Sequence, residues 1–294
     1  MKHNLLTLIG LTLFSSFIPQ PSSLRAQGTL TAPGAPAPTM KTLAQIEPRT
    51  PISSTPFTIT QPGSYYLATN LTVTSGDAID IATNQVTLDL NGFTISSTAN
   101  PAAGDGVKLI VPGGNSDVTI FNGHIVGGVT NNGTIFGGPG FYSGIDLPAS
   151  FLKNVRVTGV TVSGCMAFGI YLGLGDSTVV ESCIVQNIAS SGIVAAGVSH
   201  STAYQCGASG ILADTASDCT GQAIGTGTGL NVTKTANNCA GTSAGSGTGL
   251  YVANGVAIGC YGSSVSGSGI TAKIANSCII GGGTTNITFK YNMP

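Results

Sequence analysis

Four residues that could take part in chemistry occupy one position of a repeated pattern in the first two thirds of the chain: Asp80, Lys108, Asp146 and Tyr171. Each follows an aliphatic residue and precedes another, as expected for a short β-strand with alternating faces. If these strands lie side by side, the four side chains point away from the core as one column. Two carboxylates two strands apart would then be about 10 Å apart, close to the spacing that inverting glycosidases use.

This column has more than one interpretation. Lys108 between two aspartates is typical of a solvated ladder of charges on an exposed sheet face. The same arrangement could bind a ligand, with Tyr171 as an aromatic contact, or catalyse cleavage through Asp80 and Asp146. We therefore treat Asp80, Lys108, Asp146 and Tyr171 as ligand-binding candidates and assign no catalytic residue.

The elements that must position this column come from a repeat that is clearest between Cys165 and Gly283. Gly, an aliphatic residue, a variable residue and a second apolar residue recur, with the aliphatic position at Ile170, 193, 211, 230, 250 and 270. The steps between them are 23, 18, 19, 20 and 20 residues. A period near 20 with short alternating strands is typical of a solenoid. About 20 residues hold two or three short strands but no helix with its loops, so the pattern predicts a parallel β-helix.

The repeat also predicts which side chains form the core. Positions one and three of each strand point inward, and the Gly before them suits a tight corner. The predicted inward pairs are Ile170/Leu172, Ile193/Ala195, Ile211/Ala213, Leu230/Val232, Leu250/Val252 and Ile270/Ala272. The solenoid domain is assigned to residues 57–294 and about ten or eleven turns, with the Gly-rich run Gly127–Tyr142 as a protruding loop.

Five of the seven cysteines follow the same period. Cys219, Cys239, Cys260 and Cys278 recur, Cys183 fits the same slot, and Thr202 is expected to fill it in the turn between. Stacked side chains run parallel, which is poor geometry for a disulfide, so the pattern predicts buried, unbridged thiols. There is no CxxC motif and His is scarce, so we predict no metal site and no cofactor. His124 is expected to face inward.

The N-terminal part of the chain differs from the repeats. Residues 1–26 resemble a signal peptide, with an apolar run from Leu5 to Ile18. Residues 27–56 are assigned as a Pro-rich linker, in which Met40–Glu47 could form a short capping helix for the open end of the solenoid. These features predict a secreted or extracytoplasmic protein with no membrane span in its mature chain.

The low charge of the chain argues against nucleic-acid binding. Only 7% of residues are charged and the net charge is −1, so a basic surface for nucleic acid is excluded.

The segments Gly63–Leu67, Leu88–Gly92 and Phe121–Gly123 resemble those of bacterial exported right-handed parallel β-helix repeat proteins, which are similar in fold to the pectate lyase superfamily. The likeness covers roughly residues 40–290. It implies a right-handed all-β solenoid and a polysaccharide as partner. The motifs of pectate lyases, polygalacturonases and alginate epimerases are missing, so the resemblance transfers no catalytic residue.

Together these observations predict an exported, non-catalytic β-helix protein that binds carbohydrate or a cell-surface component. A polysaccharide lyase or glycoside hydrolase acting through Asp80 and Asp146 is one alternative. A structural or adhesive surface module without a small ligand is another.

Overall fold

The computed structural model describes residues 47–111, 116–133, 135–146, 152–175 and 177–293. The chain divides into two units, Met1–Ile46 and Glu47–Pro294. The predicted signal peptide and all of the predicted capping helix except Glu47 lie outside the described residues. Within them the structure is all-β.

The second unit is a parallel β-helix-like solenoid in which 23 strands form one continuous ladder. Each strand pairs in parallel with the equivalent strand of the next coil, so the coils stack on three faces. Face 1 carries the column that contains Asp80, and faces 2 and 3 follow it along the chain. Eleven strands succeed one another on face 1, which agrees with the predicted ten or eleven turns.

The early coils use separate strands for each face, whereas most later strands bend from one face into the next. The strands are β1 (Thr50–Ile52), β2 (Phe57–Ile59), β3 (Gly63–Leu67), β4 (Leu71–Val73), β5 (Ile79–Ile81), β6 (Val86–Asp89), β7 (Thr94–Ser97), β8 (Asp105–Leu109), β9 (Ser116–Val126), β10 (Thr130–Asn131), β11 (Phe136–Gly137), β12 (Ser143–Asp146), β13 (Lys153–Cys165), β14 (Ile170–Gly173), β15 (Thr178–Glu181), β16 (Ile184–Ile188), β17 (Ile193–Ser199), β18 (Thr202–Cys206), β19 (Ser209–Ser217), β20 (Thr220–Ala223), β21 (Thr228–Asn237), β22 (Ala240–Ser243), β23 (Leu250–Ile258), β24 (Tyr261–Asn276) and β25 (Ile279–Tyr291).

The ladder begins inside the segment predicted as a linker. Thr50–Ile52 pairs with β3, so a strand precedes Phe57 and contains Pro51. A proline donates no backbone hydrogen bond and is accepted in a strand at a sheet edge, which is where β1 lies. The Gly127–Tyr142 segment is also more ordered than a plain loop, because β10 and β11 form an antiparallel hairpin and Phe141 is fully buried.

The core is the stack of inward side chains, and the predicted pairs are confirmed. All twelve residues from Ile170/Leu172 to Ile270/Ala272 are at most 3% exposed. The register places Ile193, Ile211, Leu230, Leu250 and Ile270 opposite one another on successive coils. Alternation inside each strand therefore determines which side chains fill the interior. Because equivalent strands stack in register, the same positions point inward on every coil.

The corner between faces 2 and 3 is formed by one residue per coil with a left-handed backbone. Its φ lies between +48° and +74° on ten successive coils. Ten residues occupy this corner: Gly92, Asn122, Gly159, Ser182, His200, Asp218, Asn238, Gly259, Ser277 and Asn292. Gly and Asn tolerate this conformation best. The other four residues adopt it at a cost in conformational energy, because the corner must keep the same geometry for the coils to stack.

Glycines on another corner, before face 1, permit a close approach between coils. A Cβ added to Gly247 would lie 1.9 Å from the carbonyl oxygen of Gly227 on the preceding coil. The same contact is made by Gly227 on Ala208 at 2.0 Å and by Gly267 on Gly247 at 2.1 Å. Only a residue without Cβ fits at these positions.

Five cysteines line the interior immediately after the left-handed corner: Cys183, Cys219, Cys239, Cys260 and Cys278. They are buried and unbridged, as the parallel stacking predicts, and Cys165 and Cys206 are buried and unbridged as well. Cys183 and Cys219 flank Ser201, not Thr202 as expected from the sequence, because the register pairs Ile184 with Thr202. The Sγ of Cys219 donates to the carbonyl of Ser217 at 3.1 Å, and the Oγ of Ser201 donates to that of Ser199 at 2.7 Å. Cysteine and serine therefore have the same role at this corner. Each donates a hydrogen bond to the carbonyl oxygen of the residue two positions earlier.

Candidate functional site

The predicted column exists as a register column on face 1. Asp80 pairs with Lys108, Lys108 with Asp146, and Asp146 with Tyr171. The four side chains are half-buried, whereas the sequence predicts an exposed column. A second set of side chains lies beside them, three residues earlier in each coil, and two members of this set are themselves buried.

This second column consists of Asp77, Asp105, Ser143 and Phe168. Asp105 pairs with Ser143, and backbone hydrogen bonds align Asp77 with Asp105 and Ser143 with Phe168. We call the two columns together the face 1 patch, which comprises Asp77, Asp80, Asp105, Lys108, Ser143, Asp146, Phe168 and Tyr171.

The aspartates of the second column hold adjacent coils together. The Oδ1 atom of Asp77 accepts the backbone N–H of Asp105 at 2.8 Å, and Oδ1 of Asp105 accepts that of Ser143 at 3.1 Å. Their other oxygens both approach Lys108, whose Nζ lies 3.3 Å from Oδ2 of Asp77 and 3.1 Å from Oδ2 of Asp105. Lys108 is thus fixed over the two structural carboxylates.

The electrostatics of the patch are set by burial and by crowding of like charges. Burial raises the pKa of Asp105, whose side chain is 4% exposed, and the hydrogen bond and charge of Lys108 offset this only in part. Burial would lower the pKa of Lys108, but its hydrogen bond to Asp105 and the charges of Asp105 and Asp77 outweigh this and raise it. The ammonium group therefore stays charged at neutral pH.

Asp80 differs from its neighbours because part of it is unpaired. Its Oδ1 atom is buried and has no hydrogen-bond partner among the described residues. Burial raises the pKa of Asp80 first, and the charges of Asp77 and Asp105 add to this, while Lys108 opposes it. The buried Oγ of Ser143 also has no partner there. An unpartnered buried oxygen is costly, so each of these atoms suits a hydrogen bond from a buried water molecule.

The other end of the patch is aromatic. The rings of Phe168 and Tyr171 lie 4.6 Å apart at an interplanar angle of 33°. Tyr142, immediately before Ser143, is 52% exposed. One edge of the patch therefore offers ring faces and the other offers carboxylates and an ammonium group.

Beyond Tyr171 the outward column loses its charge. Val194, Leu212, Asn231, Tyr251 and Thr271 follow in register. Val194 is 3% exposed and Tyr251 is 39% exposed. The charged side chains of this outward column therefore lie on the early coils.

Asp77, Asp105 and Phe168 were not predicted from the sequence, although a signal for them was present. In the segments Asp77–Asp80, Asp105–Lys108 and Phe168–Tyr171, the residue before the Gly or Ala lies beside the predicted column. Including the residue before the Gly or Ala in each repeat would have found them.

The two histidines that the structure describes, His124 and His200, do not join this site. His124 aligns with Thr94 and Thr161 and is exposed, so the predicted inward position is wrong by one residue of register. His200 lies at the left-handed corner, 3.8 Å from Oδ2 of Asp218. Within the described ranges, no group of three or more His, Cys, Asp or Glu residues has an arrangement suited to a metal ion.

Comparisons with known proteins add no family to this picture: no family model, curated protein or solved structure matches the chain. In the part of the chain that the structure describes, no helix has the length and apolar character needed to cross a membrane.

Proposed function

We propose that this protein binds an uncharged carbohydrate at the face 1 patch. The observation that supports this most directly is the register of the two outward columns, which brings hydrogen-bonding groups and aromatic rings together on one rigid surface. Hydroxyl groups of a sugar suit the carboxylates of the patch, and a sugar ring suits the faces of Tyr142 and Tyr171.

The charge of the patch favours a neutral glycan over an acidic one. Four aspartates (Asp77, Asp80, Asp105 and Asp146) surround Lys108, so the patch is negative when they are ionised. The ammonium group of Lys108 is already held by two carboxylates. A uronic acid chain would bring further negative charge to this surface, which costs free energy in a partly desolvated site.

The test is retention of the protein on a panel of neutral and acidic polysaccharides. Asp146→Ala and Tyr171→Ala should each weaken binding to a retained glycan at least about tenfold, or about 1.4 kcal/mol. Thr271→Ala is the matched control, because it changes the same outward column on a late coil, away from the face 1 patch. Equal loss in all three variants would mean a long, unspecific binding face, and no retention by any glycan would reject the proposal.

A second candidate is cleavage of the bound glycan. The raised pKa of Asp80 favours it, because a protonated carboxyl can act as a general acid while Asp146, two strands away, acts as a base. Incubation of a retained glycan with the parent protein should then release new chain ends. Asp80→Asn and Asp146→Asn should each abolish this release; release that persists in both variants would exclude these residues.

We further infer that the chain is exported, that its coils wind in the right-handed sense and that its resemblance to the pectate lyase superfamily lies in the fold. The signal-like residues 1–26 support export. Parallel crossover connections are right-handed in about 98% of cases, which supports the winding. A cell-surface glycan is then an accessible ligand, and cleavage of the leader is checked by sequencing the N-terminus of secreted protein.

A further inference from the structure

A second feature of the solenoid has the chemistry of a binding site and lies apart from the face 1 patch. Four thiols stand on four consecutive coils at one position: Cys219, Cys239, Cys260 and Cys278. The register places these cysteines on adjacent strands of one column. We call these residues the thiol row.

The thiol row lies beside a surface groove. The groove, of about 310 Å³, is lined by Cys219, Cys239 and Cys260 together with corner residues such as Asp218 and Asn238. Each of these three cysteines is about 2% exposed, so the row lies just beneath the surface at this corner.

The spacing of the row suits an ion that takes two sulfur ligands in a line. Neighbouring strands are about 4.8 Å apart. Two metal–thiolate bonds of about 2.3 Å end to end span about 4.6 Å. Thiolate is the ligand that Cu(I) selects among protein side chains, and Cu(I) accepts linear coordination by two sulfurs. Two ligands per ion also agree with the lack of any suitable group of three or more in the described residues.

We propose that the thiol row binds Cu(I), with each ion held between two adjacent sulfurs. On binding, each of the two thiols gives up its proton to solvent and each sulfur forms one bond to copper, with no change of oxidation state. The site changes from neutral to one negative charge for each ion, and two protons are released. Four thiols, two for each ion, give about two copper ions per chain.

The chain contains its own controls. Cys183 shares the same corner, but Ser201 separates it from the row, and Cys206 lies in a second column between Ile188 and Ala223. Neither has an adjacent thiol in its column. Ser201 also shows that serine is accepted at this corner, since its Oγ makes the hydrogen bond to the carbonyl two residues earlier.

The experiment is an anaerobic titration of the reduced full chain with Cu(I) against a chromogenic Cu(I) chelator. The parent should take about two ions from the chelator, and Cys183→Ser/Cys206→Ser should take the same number. Cys219→Ser/Cys260→Ser removes as many thiols but leaves no two adjacent, so it should take none. Ser201→Cys joins Cys183 to the row, giving six adjacent thiols and about three ions.

Two results would overturn the proposal: uptake by Cys219→Ser/Cys260→Ser equal to that of the parent, or no uptake by the parent. Loss of binding through misfolding is separated by the circular dichroism of each variant. The gain expected in Ser201→Cys does not depend on any loss of stability, so unchanged uptake in a folded Ser201→Cys protein also contradicts the linear two-sulfur site.

Discussion

Replacing Gly247 with alanine tests the close stacking of the coils. The new Cβ would lie 1.9 Å from the carbonyl oxygen of Gly227, whereas real Cβ contacts are not shorter than 3.0 Å. The coils must therefore separate by about 1.1 Å at this corner, the difference between those distances. The neighbouring atoms are backbone, so no side chain can rotate out of the way.

The cost follows from what that separation breaks. Adjacent coils are joined on both sides of the corner by backbone hydrogen bonds, each with a net value of about 0.5–1.5 kcal/mol. Weakening two or three of them, together with residual overlap, gives a loss of about 3 kcal/mol in the free energy of unfolding. Gly259→Ala is the matched control. Its Cβ would meet open space, so only the left-handed φ of +59° is penalised, at about 1–2 kcal/mol.

The assay is urea unfolding followed by circular dichroism, with the midpoints and slopes of both variants compared with those of the parent. A repeat protein can lose cooperativity, so the slope decides whether one transition is being compared. If Gly247→Ala unfolds at the same urea concentration as Gly259→Ala, the close contact between coils is not a determinant of stability and the reasoning fails.

Three further outcomes are expected. Thiol titration in denaturant without reductant should find all seven cysteines free, because parallel stacking keeps neighbouring side chains from bridging geometry; fewer than six would contradict it. Ile211→Asp should cost several kcal/mol by placing an unpaired charge in the core, while Leu212→Asp, one residue away on the outward side, should cost little; similar melting of both would mean a shifted register. Asp80→Asn should raise the free energy of unfolding at pH 7, because the folded pKa of Asp80 lies above its unfolded value and ionisation therefore destabilises the parent. This gain should decline as the pH falls through the folded pKa and should be lost below about 4, where the carboxyl is protonated in both states; a pH-independent difference would exclude the titration.

The fold was largely predictable because period and alternation are local properties. The Gly–aliphatic–X–apolar repeat identified the inward residues of every late coil, and their burial is confirmed. The first strand was missed because Pro51 argues against a central strand, and only the tertiary arrangement shows that Thr50–Ile52 lies at an edge. The sequence alignment of the coils was wrong by one residue at two places: it put Thr202 instead of Ser201 in the cysteine column, and it put His124 on the inward side. Coils of unequal length leave the register undetermined.

The candidate site was predictable in part. The order Asp80, Lys108, Asp146, Tyr171 could be read from the repeat, whereas the ion pairs of Lys108 could not. Asp105 lies three residues before Lys108 in the same strand and pairs with it, and its other oxygen accepts a backbone N–H from the next coil. Such contacts depend on side-chain direction and on the stacking of coils, neither of which a sequence pattern specifies.

The left-handed corner has a consequence for how the molecule can change in length. Asp218 and Asn238 stand at the same corner one coil apart, each followed by a buried cysteine. Deleting Cys219–Asn238 removes 20 residues and joins Asp218 directly to Cys239, with the same backbone conformation on both sides of the new bond. Duplicating the segment lengthens the stack by the same rule. Whole coils are thus units of insertion and deletion, and the number of coils is a property that evolution or an experimenter can vary without redesigning the junction.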